Sequence, residues 1–321
     1  MSERGIGGVH VPRRSGRRRL VLALGAGTGF ALSGALAQGL RQLVGSAAPA
    51  PIAGDGRPAL RGRAPSIFVG HGSPMNALQD NRFTRTLQRW GREIGLPRAI
   101  VVVSAHWLTP RSTRVSTASE PETIHDFGGF PAELHAMRYP ARGAPALAAQ
   151  TALRLGPRPV GTDAQRGLDH GAWTVLHRLY PAADVPVFQV SVDIAQPSAY
   201  HLAIGRSLAA LRDDGVLILG SGNVVHNLGA TERGAGETAH GTTPWAEDFD
   251  QQAKRALDAG DHGTLVAYER LGSAARSAVP TPDHYFPLLY ALGAARADEP
   301  PRHVFEGFQS GTLSMRCVQW G

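Results

Sequence analysis

Ala99-Ile100-Val101-Val102-Val103-Ser104-Ala105-His106-Trp107 decides the fold class of this chain. Its first five residues are apolar, with no polar position alternating among them. A run so short, and rich in β-branched side chains, predicts a strand buried on both faces, the environment of a sheet covered by helices. The run stops at Ser104, and His106 follows directly. In open α/β sheets the carboxyl ends of strands are where ligands bind. The first question is therefore what His106 meets there.

Working outward, the body alternates strand-like and helix-like segments. Ser66–Gly70 reads as a strand ending in Gly70-His71-Gly72-Ser73-Pro74. Arg82–Ile94 has helical spacing (Phe83, Leu87, Trp90, Ile94), with Pro97 beyond its end. Arg114–Ala118, Val185–Val192 and Val216–Gly220 read as strands, and so do Val304–Phe308 and Thr312–Trp320. Helices are predicted at Pro145–Leu155, around Trp173, Leu176, Leu179 and Tyr180, and at Ser198–Leu211, Trp245–Leu257 and Thr264–Leu271. A further helix, Pro282–Leu292, opens on a first-turn proline. Thr123–Tyr139 is too irregular for one element and too aromatic for a solvated loop. With no repeat and no second composition, 66–321 is expected to be one three-layer α/β domain, a mixed central sheet with helices on both faces.

The net charge of +7 suggests a nucleic-acid partner only at first sight. Residues 1–63 hold ten arginines against Glu3 and Asp55, more than the whole excess, so the body is slightly acidic. It lacks the basic surface that tracking phosphates requires. Arg17-Arg18-Arg19 precedes a weakly apolar stretch that reaches Leu40 and contains Ala35-Leu36-Ala37, a small-x-small cleavage site. Residues 1–40 thus read as a twin-arginine-like export signal, directing the protein to the periplasm, and 41–65 as a linker. Five glycines between Gly25 and Gly39 disfavour a stable membrane span. Replacing Arg17-Arg18 by Lys-Lys is expected to leave the protein in the cytoplasm; unchanged export on cell fractionation would refute the twin-arginine reading.

Cys317 is the only cysteine beside thirteen histidines. A transition-metal site here must therefore use imidazole, with or without carboxylate. His71, His106 and His226 each follow a predicted strand, His284 opens a helix, and His170 sits in an Asp-His-Gly turn. Each has small residues, glycine or proline beside it, which let backbone and ligand come close. Imidazoles gathered from several strand ends make a preformed cage. Gly72-Ser73-Pro74 lacks the Gly-x-Ser-x-Gly of a nucleophile elbow, and no phosphate-binding glycine loop follows any strand.

Six ordered motifs carry a resemblance: Gly70-His71-Gly72-Ser73-Pro74-Met75, Ser104-Ala105-His106-Trp107, His125-Asp126-Phe127-Gly128-Gly129-Phe130-Pro131, Leu168-Asp169-His170-Gly171, Ser221-Gly222-Asn223-Val224-Val225-His226-Asn227-Leu228 and Pro282-Asp283-His284-Tyr285. Across 66–321 the chain resembles the class III extradiol ring-cleavage dioxygenases of the DOPA dioxygenase type, relatives of the catalytic subunit of protocatechuate 4,5-dioxygenase. The resemblance implies a single α/β domain holding one mononuclear divalent metal, Fe(II) for catalysis or Zn(II). Carried over by position, the ligands are His71, His106, His226 and His284. In better-studied class III enzymes two His and one carboxylate hold the iron, the histidine matching His226 is a base, and a glutamate stands in place of His284. Both roles therefore remain open for His226. The resemblance further implies a catechol and O2 as substrates, His170 and His226 as proton carriers, and His125 and Phe127 as pocket residues. Two other classes share the same features. A zinc hydrolase would use an open position to activate water, and a non-catalytic relative would keep the fold alone.

Overall fold

The computed structural model describes residues 56–231 and 242–321. The predicted export signal lies outside them. The central sheet contains six strands: β1 (Ser66–Gly70), β2 (Ala99–Ser104), β3 (Val187–Gln189), β4 (Val216–Gly222), β5 (Arg302–Phe305) and β6 (Cys317–Trp320). Their spatial order is β3-β2-β4-β1-β6-β5. β3, β2, β4 and β1 run parallel, while β6 is antiparallel to both β1 and β5. The sheet is mixed, as expected, and its four parallel strands deliver their carboxyl ends to one edge.

β2 lies between β3 and β4, and every residue from Ala99 to Ser104 is buried. Ala99, Val101 and Val103 pack into one core; Ile100 and Val102 pack into the other. This two-sided burial explains the lack of alternation in its sequence. Five helices matter for the site and its support: α1 (Arg82–Ile94), α2 (His170–Leu179), α3 (Ser198–Asp213), α4 (Pro244–Asp258) and α5 (Phe286–Ala294). Side chains of α1 and α2 join the core around Ile100, and those of α3, α4 and α5 join the core around Val101. α1 starts at a capping box in which the Asn81 side chain accepts the Thr84 amide and Thr84 returns its hydroxyl oxygen to the Asn81 amide. No helix of the described residues is long and apolar enough to cross a membrane.

Several predicted segments are divided in the structure. The Val185–Val192 run splits after Gln189. Its last residue joins a separate pairing of Val192–Asp193 with Leu108–Thr109, because the Val190 amide is the last to bond β2. Thr312–Trp320 breaks between Ser314 and Cys317, where buried Arg316 turns to the Asp250 carboxylate. Thr264–Leu271 is two short turns, His262–Val266 and Tyr268–Leu271. Pro282–Tyr285 is a turn ahead of α5, held by the Asn223 amide, which donates to the His284 carbonyl at 2.8 Å. Residues 58–65, within the stretch read as a linker, lie on the body. The Leu60 amide donates to the Leu96 carbonyl, the Leu96 amide donates to the Pro58 carbonyl, and fully buried Ala64 donates to the Arg212 carbonyl.

Candidate metal centre

Register brings three strand ends level: Val69 faces Ser221 across β1 and β4, and Ser104 faces Ser221 across β2 and β4. β1 and β2 flank β4, and just beyond their ends His71 and His106 turn toward each other. Their Nε2 atoms stand 3.2 Å apart. Gly222 makes room for the third histidine. A Cβ there would fall 2.1 Å from the His284 carbonyl oxygen, so only glycine lets the turn rest on the end of β4. The rings of His71, His106 and His284 form a near-equilateral triangle, with centroids 5.1, 5.4 and 5.0 Å apart. One ring nitrogen from each lies within 4.8 Å of the other two.

The surrounding bonds fix which nitrogen of His71 and of His284 is bare. Ser221 donates its hydroxyl to the Gly171 carbonyl at 2.5 Å, so toward His71 it can only accept. His71 Nδ1, 3.0 Å away, therefore carries the hydrogen and Nε2 is a lone pair. Asp283 accepts from His284 Nδ1, leaving a buried Nε2 that has no partner. His106 turns Nδ1 toward Asp126, 3.5 Å from its carboxylate, and Nε2 toward His71. The bare Nε2 atoms of His71 and His284 thus converge with Nε2 of His106, an arrangement that a shared cation would satisfy. Carboxylates and hydroxyls behind metal-binding imidazoles fix the tautomer in this way. The donor set fits a divalent metal that accepts neutral nitrogen.

Electrostatics keep these rings neutral. Burial, then the neighbouring histidines, hold His71 well below the ordinary imidazole value. Burial also takes His106 down to about 3, against the opposing pull of Asp169 and Asp126. His284 lies at about 4, where burial outweighs the Asp283 hydrogen bond, and His226 at about 4, chiefly through burial. Outside the site, burial lowers fully buried His201 to about 4. Its ring stacks on Phe286 at 3.9 Å. For each of these groups the unfolded chain binds protons more readily than the folded one. Stability is therefore complete above the unfolded value near 6.5 and falls as pH drops toward 4. Metal-free protein is expected to lose stability steeply over that window in denaturant titrations. His201→Phe should remove about one proton from the slope, roughly 1.4 kcal/mol per pH unit. A slope unchanged by the substitution would contradict this assignment.

The other predicted residues fall in three places. His226, carried over as a fourth ligand or a base, stands outside the group of three; its ring stacks on His284 at 3.4 Å and 5°. His170, at the first position of α2, lies with its ring 3.8 Å from that of His106. Its Nδ1 is 3.0 Å from Asp126 Oδ1, though not aligned for a directed hydrogen bond, and its amide donates to the same oxygen at 2.9 Å. Phe127 sets its edge against His170, with centroids 5.6 Å apart. His125 is one ring further out, 5.7 Å from Phe127, with Nε2 paired to the Met137 carbonyl.

Asp126 is the residue that sequence reasoning passed over. Its carboxylate faces both His106 and His170, and with them forms a second group of possible metal-ligating atoms. Hydrogen bonding to His170 and the charges of His170 and His106 hold it down at about 2 despite its burial. Its sequence signal was its place in the His125–Pro131 motif, within an irregular aromatic stretch.

Similarity to known proteins follows the same outline. A relative in Escherichia coli K12 named 4,5-DOPA dioxygenase extradiol is 47% identical over 264 residues, covering 81% of this chain and 95% of that protein. A protein of the same name in Beta vulgaris is 38% identical, covering 78% of this chain and 93% of that one. A crystal structure titled as an uncharacterized protein from Escherichia coli K12 superposes with a TM-score of 0.69 at 42% identity, covering 81% of this chain and all of the other. Residues 64–315 match the family described as the catalytic LigB subunit of aromatic ring-opening dioxygenase. On that span and those identities, the chain belongs to this family of metal-dependent aromatic ring-opening dioxygenases.

Proposed function

We propose that the protein opens a catechol ring in the extradiol manner with O2, at a single divalent metal held by Nε2 of His71, His106 and His284. One observation carries the reading. Three imidazoles on separate elements turn Nε2 to one point, those of His71 and His284 fixed from behind by Ser221 and Asp283, and that of His106 with Nδ1 turned toward Asp126. The relatives named as DOPA dioxygenases support a DOPA-like catechol as the substrate class. Fe(II) is the catalytic metal in this reading; when bound, it supplies adjacent positions for both catechol oxygens and O2, and so brings the reactants together.

The chain's own residues perform the rest. His170, with Nδ1 beside the Asp126 carboxylate, keeps Nε2 available to take a phenolic proton and return it. His226, stacked on His284 and neutral at working pH, is the second proton carrier. Phe127 lies against His170 as an aromatic wall for the substrate, and His125 backs it. The test is anaerobic reconstitution with Fe(II) or Zn(II), then catechol, then O2. A yellow ring-opened semialdehyde, with one O2 consumed per catechol, is expected from the iron form alone. No O2 uptake with any catechol would refute the proposal.

A further inference from the structure

Two buried serines face each other at the ends of adjacent strands, Ser104 on β2 and Ser221 on β4. Each takes a hydrogen from a histidine of the triad and gives its own to the start of α2. The His71 ring donates from Nδ1 to Ser221, which donates to the Gly171 carbonyl. The His106 amide donates to the Ser104 hydroxyl at 3.2 Å, which donates to Asp169 Oδ1 at 2.5 Å. Asp169 is fully buried and caps α2 by accepting the Ala172 amide at 3.2 Å. Its second oxygen accepts from Arg166 at 2.7 Å, and the same Arg166 nitrogen reaches the His106 carbonyl at 3.3 Å.

The His106 backbone is thus held from both sides by one carboxylate, through Ser104 at its amide and Arg166 at its carbonyl. The first turn of α2 is bonded directly to the strand ends through Gly171 and Asp169. A Cβ on Gly171 would meet Ser104 Oγ at 2.5 Å and His106 Cδ2 at 2.8 Å. His170 lies in that turn, between Asp169 and Gly171.

We propose that Ser104, Ser221 and Asp169 form a positioning platform that ties His71 and His106 to the first turn of α2, holding the metal triad and His170 as one unit. The platform rests on the metal reading given above. These residues touch neither metal nor substrate; they act by fixing where the imidazoles point, a kind of support whose loss weakens metal binding tenfold to a hundredfold.

The experiment measures Zn(II) affinity of the metal-stripped full-length protein by competition with a chromophoric chelator, and records the ligand-field spectrum of the Co(II) form. Ser104→Ala, Ser221→Ala and Asp169→Asn are each expected to weaken Zn(II) binding by roughly tenfold to a hundredfold and to shift the Co(II) spectrum. Thr151→Ala is the control. It removes another buried hydroxyl, one bonded within Pro145–Arg154, and should lower thermal stability without moving either readout. If the three platform variants bind Zn(II) as tightly as wild type with an unchanged spectrum, the platform is overturned while the metal reading stands. If wild type binds no metal, the metal reading itself fails. Should Asp169→Asn not fold, the two serine variants decide alone.

Discussion

His284→Ala is expected to abolish metal binding and ring cleavage together while leaving the metal-free fold standing. The imidazole that it removes is buried, and its Nε2 has no partner among the described residues. In the metal-free state that nitrogen adds little stability, because a desolvated, unpaired lone pair is a cost and not a bond. The cavity left behind and the lost bond to Asp283 work in the opposite direction, so the metal-free variant should melt near the metal-free wild type. The difference appears on loading. A ligand at a thousand times its Kd stabilises a fold by about 4 kcal/mol; wild type should gain on that scale, and His284→Ala, like His71→Ala and His106→Ala, should gain almost nothing. Loss of the metal's charge stabilisation is worth several kcal/mol in the transition state, a thousandfold or more in rate. Equilibrium dialysis, melting with and without metal, and O2 consumption check the three parts. Stoichiometric metal retained in any one of these variants would remove that residue from the ligand set.

How much of this was legible beforehand follows from the range over which each signal acts. Ala99–Val103 announced a strand buried on both sides because an apolar run needs no partner to be recognised, and the structure encloses every residue of it. The histidines were legible for a related reason: His71, His106 and His226 follow recognisable strands, His170 and His284 stand at turns before helices, and the carboxyl edge of a parallel sheet gathers such places. Long-range pairings were not. Asp126 lies in an irregular stretch that no periodicity marks, and it meets His170 across 44 positions that include two helices and a strand. Asp169 stands next to His170 in the sequence. It turns away, because a side chain at the cap position points along the helix start, where it accepts Ala172 and meets Ser104 and Arg166. Ser104 and Ser221 did offer a usable signal: a hydroxyl directly after a fully apolar strand must find a buried partner. Pro282 suggested a helix start, but the His284 carbonyl is engaged by Asn223 and the helix begins at Phe286.

The two proton carriers should separate from the ligands by one criterion: metal retained, turnover lost. His226→Gln keeps a flat polar group over His284 yet cannot shuttle a proton. His226 is outside the converging trio, so full metal content is expected, with kcat reduced about a hundredfold to ten-thousandfold. His170→Gln should behave alike. Asp126→Asn tests the arrangement that makes His170 competent. The carboxylate beside Nδ1 favours a hydrogen there and leaves Nε2 to receive one, the same logic by which a buried aspartate orients a catalytic histidine. An amide in its place offers no such preference, so kcat should fall while KM changes little. His106 complicates the prediction in a useful way, since Asp126 also lies 3.5 Å from its Nδ1. Metal affinity of Asp126→Asn should therefore drop, and kcat must be compared at saturating metal. If activity returns in full at saturation, Asp126 serves the metal alone and His170 needs no partner. If His226→Gln loses its metal, His226 is the fourth ligand and the proton passes through His170 only.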